Sequence, residues 1–413
     1  MRLLYIVHQF MPELAGGTER VTLNLARAAQ ADGHNVEILT LSLGSAAWRP
    51  EGKGVFTAMV EGVPVTALSR TELEGTTNLG FGRDEAFAAA FVHFLDERPA
   101  FDVAHVTHSF RTLEAVETLA ARRVPYVMTL TDFFSVCHRV NLVQVDGQLC
   151  PGPAGGAACH EHCTIPDMAQ EAYGRRVRRL EEALARASAL VAVSPYVAAR
   201  IRAEHPHLRV LVLGNGVDLL AFRPAPPRPA DRPLTFGYLG TVSEAKGAQM
   251  LVRAFVRAQP ANSRLRLVGP CYDEILAEEL QAETARAAIT LEGPVESQAV
   301  AALMSEFDIL CVTSQVPEAF SLSLHEGFAA GLPALVSDLG NLGAVIRDAG
   351  CGRAVAAGDE AAWAQAIGEI AASPEVIQGW KTTLPLPLRI EEEACFYAQI
   401  YRGMTGLRRP VQA

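Results

Sequence analysis

The sequence predicts an α/β protein made of two doubly wound domains of similar size. Three observations carry that expectation. Short apolar runs alternate with helical patterns along the whole 413-residue chain. A proline-rich stretch interrupts the alternation near the middle, after which it restarts. Hydrophobic residues make up 49% and charged residues 20%, enough apolar material for large cores, so wholesale disorder is excluded.

The elements follow in order. Leu3–Val7 is a continuous apolar run, as a strand buried on both faces requires. A turn containing Pro12, Gly16 and Gly17 leads into a helix with Val21, Leu25, Ala28 and Ala29 on one face. Gly33 stops that helix, and Val36–Leu41 reads as the next strand. Strands are expected again at Val103–Val106, Tyr126–Leu130 and Ala189–Val193. Residues 223–233 hold five prolines in eleven positions and read as a linker. Beyond it, strands are expected at Leu234–Leu239, Arg264–Val268, Ile289–Leu291, Ile309–Thr313 and Ala334–Ser337, with helices between. A last helix is expected near Ile390–Met404. The predicted division is therefore 1–222, linker 223–233, 234–388, and a terminal helix in 389–413.

Charge and leader signals narrow the function. Lys plus Arg is 36 and Asp plus Glu is 46, a net charge of −10, which argues against a nucleic-acid partner. No stretch reaches ~18 apolar residues, so no membrane-spanning helix is expected. The opening apolar run ends at His8 and Gln9, too soon for a signal peptide. A cytoplasmic protein with reduced thiols is expected, so the eight cysteines are not read as a disulfide framework.

The most informative segment runs from Pro317 to Pro333. It follows a buried strand and opens a helix, whose unpaired N–H groups and partial positive charge suit a phosphate. Phe320, Ser321 and Leu322 are the expected donors. Glu318 precedes the helix, where a carboxylate can accept sugar hydroxyls. Glu326 lies eight residues on, about 12 Å along the axis on a similar face. One carboxylate then holds a sugar and the other a ribose, with a diphosphate between them. Two surface glutamates at helical spacing would look the same in isolation.

The wider text decides between them. Glu318-x7-Glu326, followed by small residues, Gly331-Leu332-Pro333 and an apolar strand, resembles retaining glycosyltransferase family 4. Gly16-Gly17-Thr18-Glu19-Arg20 is similar to that family's N-terminal glycine-rich loop. Asn215-Gly216-Val217-Asp218 and Tyr238-Leu239-Gly240 through Lys246-Gly247 are similar to its segments before and after the linker. The resemblance implies a GT-B architecture: two Rossmann-like domains facing a central cleft, with the C-terminal helix crossing back to the first. It implies transfer of a hexosyl-type sugar from a UDP- or GDP-sugar to a glycan, lipid-linked or small-molecule acceptor, with retention of configuration. No metal is required for that catalysis.

Roles follow from the charge that builds on the departing nucleoside diphosphate. Lys246 is the matching cation. Gly16 and Gly17 let backbone approach the diphosphate without a Cβ. By resemblance, Glu318 holds the donor sugar, Glu326 the ribose, and the backbone near Val295 the nucleobase. Two positions depart from the family. Thr241 stands where an arginine is usual, and Thr131 where a histidine precedes Asp132. The first change removes a charged hydrogen bond of about 1.5–3 kcal/mol. The departures keep two other readings open: a non-catalytic nucleotide-sugar binder, and a nucleotide-sugar epimerase of the same fold. Arg20 and Arg139 are preferred as solvated surface charges rather than substitutes.

Three further features are singled out. His105 and His108 stand at the end of a strand, where open α/β sheets place their ligands. Either can bind the acceptor or act on its hydroxyl, His108 being the stronger candidate, and a loop-shaping histidine is the alternative; Asp132 is a catalytic candidate because it matches the family's usual His-Asp pair. Cys137, Cys150, Cys159 and Cys163 fall within 27 residues, a set that suits a structural zinc site. Packed reduced thiols and disulfides remain alternatives, and similar inserts occur in some relatives of the family. The basic run Tyr173–Leu180 offers a peripheral contact with anionic lipid at the inner membrane face, against a solvated helix face, which is preferred.

Overall fold

The structure is a computed structural model. It describes residues 1–14, 16–42, 48–52, 54–69, 77–222, 232–284 and 287–406. Two compact units are resolved: Met1–Gly216 with Ile390–Ala413, and Val217–Arg389.

In the first unit the described residues form nine strands: β1 (Arg2–Ile6), β2 (Asn35–Ser42), β3 (Arg49–Gly52), β4 (Val55–Val60), β5 (Val63–Ser69), β6 (Val103–Val106), β7 (Tyr126–Leu130), β8 (Ala189–Ala192) and β9 (Val210–Val212). The sheet order is β3-β4-β5-β2-β1-β6-β7-β8-β9. From β5 to β9 the pairing is parallel, and β3 and β4 add an antiparallel edge. The expected strands all form. The meander β3–β5 was missing from the expectation because its centre strand is only half-buried and carries no continuous apolar run. Chain order reverses direction between β1 and β6, which creates a crevice at their C-terminal ends.

The second unit holds β10 (Leu234–Leu239), β11 (Ser263–Val268), β12 (Ile289–Glu292), β13 (Ile309–Val312), β14 (Ala334–Ser337) and β15 (Gly352–Val355). Their order is β12-β11-β10-β13-β14-β15, all parallel, with the reversal between β10 and β13. One apolar layer gathers Leu251, Phe255, Trp363 and Ile367 against one face of this sheet. The other gathers Met304, Phe307, Phe328 and Ile346. Both faces are therefore covered, and the central strands β13 and β14 are buried throughout.

The division falls at Gly216/Val217, ahead of the proline-rich stretch. Val217 and Phe222 are buried with Phe307 and Phe328 in the second unit's core, so 217–222 pack there rather than with residues 1–216. Of the expected linker 223–233, residues 223–231 lie outside the described residues. The terminal helix Ile390–Gly406 packs in the first unit. Its Tyr401 hydroxyl meets His105 Nδ1 at 2.6 Å, and its Tyr397 hydroxyl meets Thr129 at 2.7 Å. Thr129 also meets His105 Nε2 at 2.7 Å. Both ring nitrogens of His105 are thus committed, and burial lowers its pKa to about 3. His105 ties helix to sheet.

Candidate active site

In the second unit the turn after β10 and the segment after β13 meet at the strand reversal. Gly247 has φ of +72°, and a Cβ there would lie 2.0 Å from the Thr313 carbonyl oxygen. Only glycine allows that approach. The contact is stitched by Thr313 Oγ1 donating to the Lys246 carbonyl at 2.7 Å and Gln315 N–H donating to Ala245 at 2.8 Å. Lys246 is therefore delivered to Glu318, donating from Nζ to Oε1 at 2.5 Å. The Ser314 hydroxyl bonds the same carboxylate oxygen. Glu318 is largely buried and Lys246 is 42% exposed, so the cation is the more open partner.

Glu318 is also held by its backbone. It bridges to Gly340, and Asn341 N–H donates to its carbonyl at 3.1 Å. Gly340 has φ of +64°, and a Cβ there would sit 2.6 Å from Glu318 N. Gly340 and Ser314 were not expected from the sequence. Ser314 is four residues before Glu318, a spacing that could have flagged it. Gly340 lies 22 residues on, and nothing local marks it.

The following helix spans Leu322–Ala329. It opens two residues later than expected, so its first-turn N–H groups belong to Leu322, Ser323 and Leu324. Phe320 lies before it, buried and stacked on the His325 ring at 3.9 Å between centroids. Phe320 thus braces the turn. Ser321, next to the helix, has φ of +70°, a region costly for a residue with a Cβ. His325 Nδ1 donates to the Ser321 carbonyl at 2.9 Å, which holds that strained peptide. Burial lowers the His325 pKa, so the bracing ring stays uncharged. Glu326 lies half-buried on this helix. Thr241 follows β10 and its carbonyl accepts the Tyr238 hydroxyl at 2.6 Å. Val295, after β12, is 37% exposed.

In the first unit a second cluster stands at the β1/β6 reversal. His108 Nε2 and Asp132 Oδ2 are 2.6 Å apart. His108 Nδ1 accepts the Phe110 N–H at 3.1 Å. That bond places the ring proton on Nε2, so His108 donates to Asp132. Asp132 Oδ1 accepts the Phe134 N–H at 2.9 Å. His108 is 7% exposed and Asp132 26%, so the carboxylate is the group presented outward and the imidazole aims it. Thr131 donates back to the Thr107 carbonyl at 3.2 Å, a tie between strand ends.

Gly16 and Gly17 stand at the start of the helix Gly17–Ala31, both exposed. A Cβ on Gly16 would lie 2.6 Å from Glu19 Oε2. The glycine therefore makes room for the Glu19 carboxyl, which folds back over the helix start. Glu19 and His8 were not expected, although Glu19 sits inside the quoted glycine-rich loop.

The four clustered cysteines are free thiols. They neighbour one another, since ionisation of Cys159 is opposed by burial and by Cys137, Cys150 and Cys163. Among the described residues no group of three His, Cys, Asp or Glu side chains is placed to hold a metal ion. Arg176 is buried beside these thiols, bonded to the Leu79 and Phe134 carbonyls at 2.5 and 2.6 Å. Arg179 pairs with Glu117 at 2.5 Å. Half of the basic run thus faces inward, and Arg175 and Arg178 are exposed. No helix among the described residues is long and apolar enough to cross a membrane.

Comparison with known proteins now bears on this geometry. Residues 16–216 match the family described as glycosyl transferase 4-like domain, and residues 233–373 the family described as glycosyl transferases group 1. A D-inositol 3-phosphate glycosyltransferase of Xylanimonas cellulosilytica is 29% identical over 387 residues, covering 87% of this chain and 84% of that protein. Sucrose-phosphate synthase from Thermosynechococcus elongatus has a similar structure, with TM-score 0.73, 18% identity, and coverage of 98% and 99% of the two chains. The Anabaena protein HepE, solved with UDP and glucose, gives 0.66 at 14% identity, covering 96% and 98%.

Proposed function

Since this chain belongs to the glycosyltransferase family of those two matches and has the GT-B fold, we propose that it uses a nucleotide-sugar donor and retains the anomeric configuration. The observation that carries the donor reading is the Lys246–Glu318 pair, 2.5 Å apart at the strand reversal of the second unit. In open α/β sheets ligands bind at that reversal. Lys246, freed toward a diphosphate, meets the negative charge that builds as the sugar–phosphate bond breaks. Glu318 then accepts sugar hydroxyls. The first-turn N–H groups at Leu322 add donors to the phosphates. Glu326 takes the ribose and the Val295 backbone the base. On the acceptor side, Asp132 takes a hydrogen bond from the attacking hydroxyl, and His108 positions it. The acceptor is a polyol or glycan hydroxyl. The named relative acts on an inositol phosphate, which makes that class the first to try.

The test is nucleotide release from a panel of UDP- and GDP-sugars, with and without acceptors. Turnover with at least one donor, lost on Lys246→Ala and on Glu318→Ala, is the expected result. Tight nucleotide binding without turnover on any donor would overturn it. Thr131 and Thr241 favour that second reading, a sugar-nucleotide binder without catalysis.

A further inference from the structure

The first unit holds a cavity of about 170 Å³, and none of the residues given roles above lines it. It lies between the helix Pro195–Glu204 and the loop that follows β7. Val136, Leu142, Pro151 and Pro153 supply apolar walls from the loop, and Arg200 and Glu204 supply two charges from the helix. Those two stand four residues apart, a spacing at which opposite charges on a helix normally meet. Among the described residues they form no ion pair with each other or with any other side chain. Each is held elsewhere. Glu204 Oε1 accepts the Gly155 N–H at 3.0 Å. The Arg200 guanidinium lies 4.9 Å from the centre of the Tyr196 ring, one turn back along the helix. Its Nη1 reaches the Pro151 carbonyl at 3.5 Å, the limit of a hydrogen bond. Two half-buried opposite charges therefore line one cavity without a counter-charge.

The lining selects its guest. Glu204 opposes a simple anion, and Arg200 opposes a simple cation. A neutral apolar guest would strip water from both charges and give no hydrogen bond in return. A zwitterion satisfies both, its carboxylate accepting from the Arg200 guanidinium and its ammonium donating to the Glu204 carboxylate. Glu204 is the last residue of its helix, where the partial negative charge of the helix end also favours an ammonium. The apolar walls then take an aliphatic side chain. The cavity is smaller than the roughly 300 Å³ at which pockets for larger ligands begin, so the guest is compact.

We propose that this cavity binds a free α-amino acid with an aliphatic side chain, its carboxylate on Arg200 and its ammonium on Glu204. The site is separate from the donor and acceptor residues, and failure of the transferase reading leaves it untouched. The test titrates the full chain with L-valine and L-leucine, read by calorimetry and ligand-observed NMR. N-acetyl-L-leucine, which lacks the ammonium, and L-leucinamide, which lacks the carboxylate, are titrated alongside. Arg200→Gln and Glu204→Gln each remove one charge and keep a good helix former. Thermal midpoints check that each variant folds, and if one does not, the two analogues decide. At least one of the two amino acids binds the wild type. Loss of one charged hydrogen bond weakens that binding about tenfold or more in each folded variant, and each analogue binds the wild type more weakly by a similar factor. The proposal is overturned if neither amino acid binds, if either folded variant binds as tightly as the wild type, or if either analogue binds as well as L-leucine.

Discussion

Replacing Glu393 by Gln tests how the terminal helix is fastened. Glu393 is 2% exposed, and its Oε2 accepts the Gly216 N–H at 2.7 Å. Burial raises its pKa to about 8 despite that bond. The folded state therefore holds a proton that the unfolded chain, near the ordinary carboxyl value, releases. Between about pH 4.5 and pH 8 the native state binds more protons, so stability falls as pH rises. From pH 5 to pH 7.5 the two pKa values give a loss of about 3 kcal/mol. In a unit of roughly 240 residues that corresponds to about 6–12 °C in midpoint. Gln keeps an acceptor oxygen for Gly216 and does not titrate. The wild type should therefore lose about 6–12 °C relative to Glu393→Gln between those pH values, read by thermal unfolding. His105 has the opposite sign. Its lowered pKa makes stability rise with pH up to about 6.5, and it cancels in the difference because both proteins contain it. Parallel midpoint–pH curves for the two proteins would refute the reasoning.

Three further outcomes are expected. Gly340→Ala places a Cβ 2.6 Å from Glu318 N at positive φ, so stability should drop by about 2 kcal/mol in denaturant titration, and turnover with it. A fully active Gly340→Ala enzyme would show that Glu318 is not held this way. Thr241→Arg supplies the cation usual in the family after β10 and should tighten nucleoside-diphosphate binding about tenfold or more in calorimetry. Unchanged affinity would mean the phosphates lie elsewhere. Iodoacetamide at pH 8 should label exposed Cys395 first and buried Cys159, whose thiol burial pushes up to about 12, only on unfolding, as peptide mass analysis would show.

Some of the site was legible because it is local. Glu318, Leu322 and Glu326 lie within nine residues, and the strand-then-helix pattern around them places a helix start beside a carboxylate. Lys246 was legible from the short segment after β10. Other parts were not local. Gly340 matters only because β14 delivers it to Glu318, and His8 meets Glu19 only because β1 and the helix after it converge. In the basic run Tyr173–Leu180 the sequence does not say which arginines turn inward, and Arg176 does so for two carbonyls.

By itself the sequence determined the alternating α/β plan and most of the parallel strands. Apolar runs and turn residues act through near neighbours, so they survive reading in one dimension. Tertiary structure alone decided that the chain divides at Gly216, that the terminal helix fastens to His105 and Thr129, and that Asp132 is more exposed than His108. Each of these depends on distances between residues far apart in the chain, and those distances are set by how strands pair and helices pack, not by the residues' order.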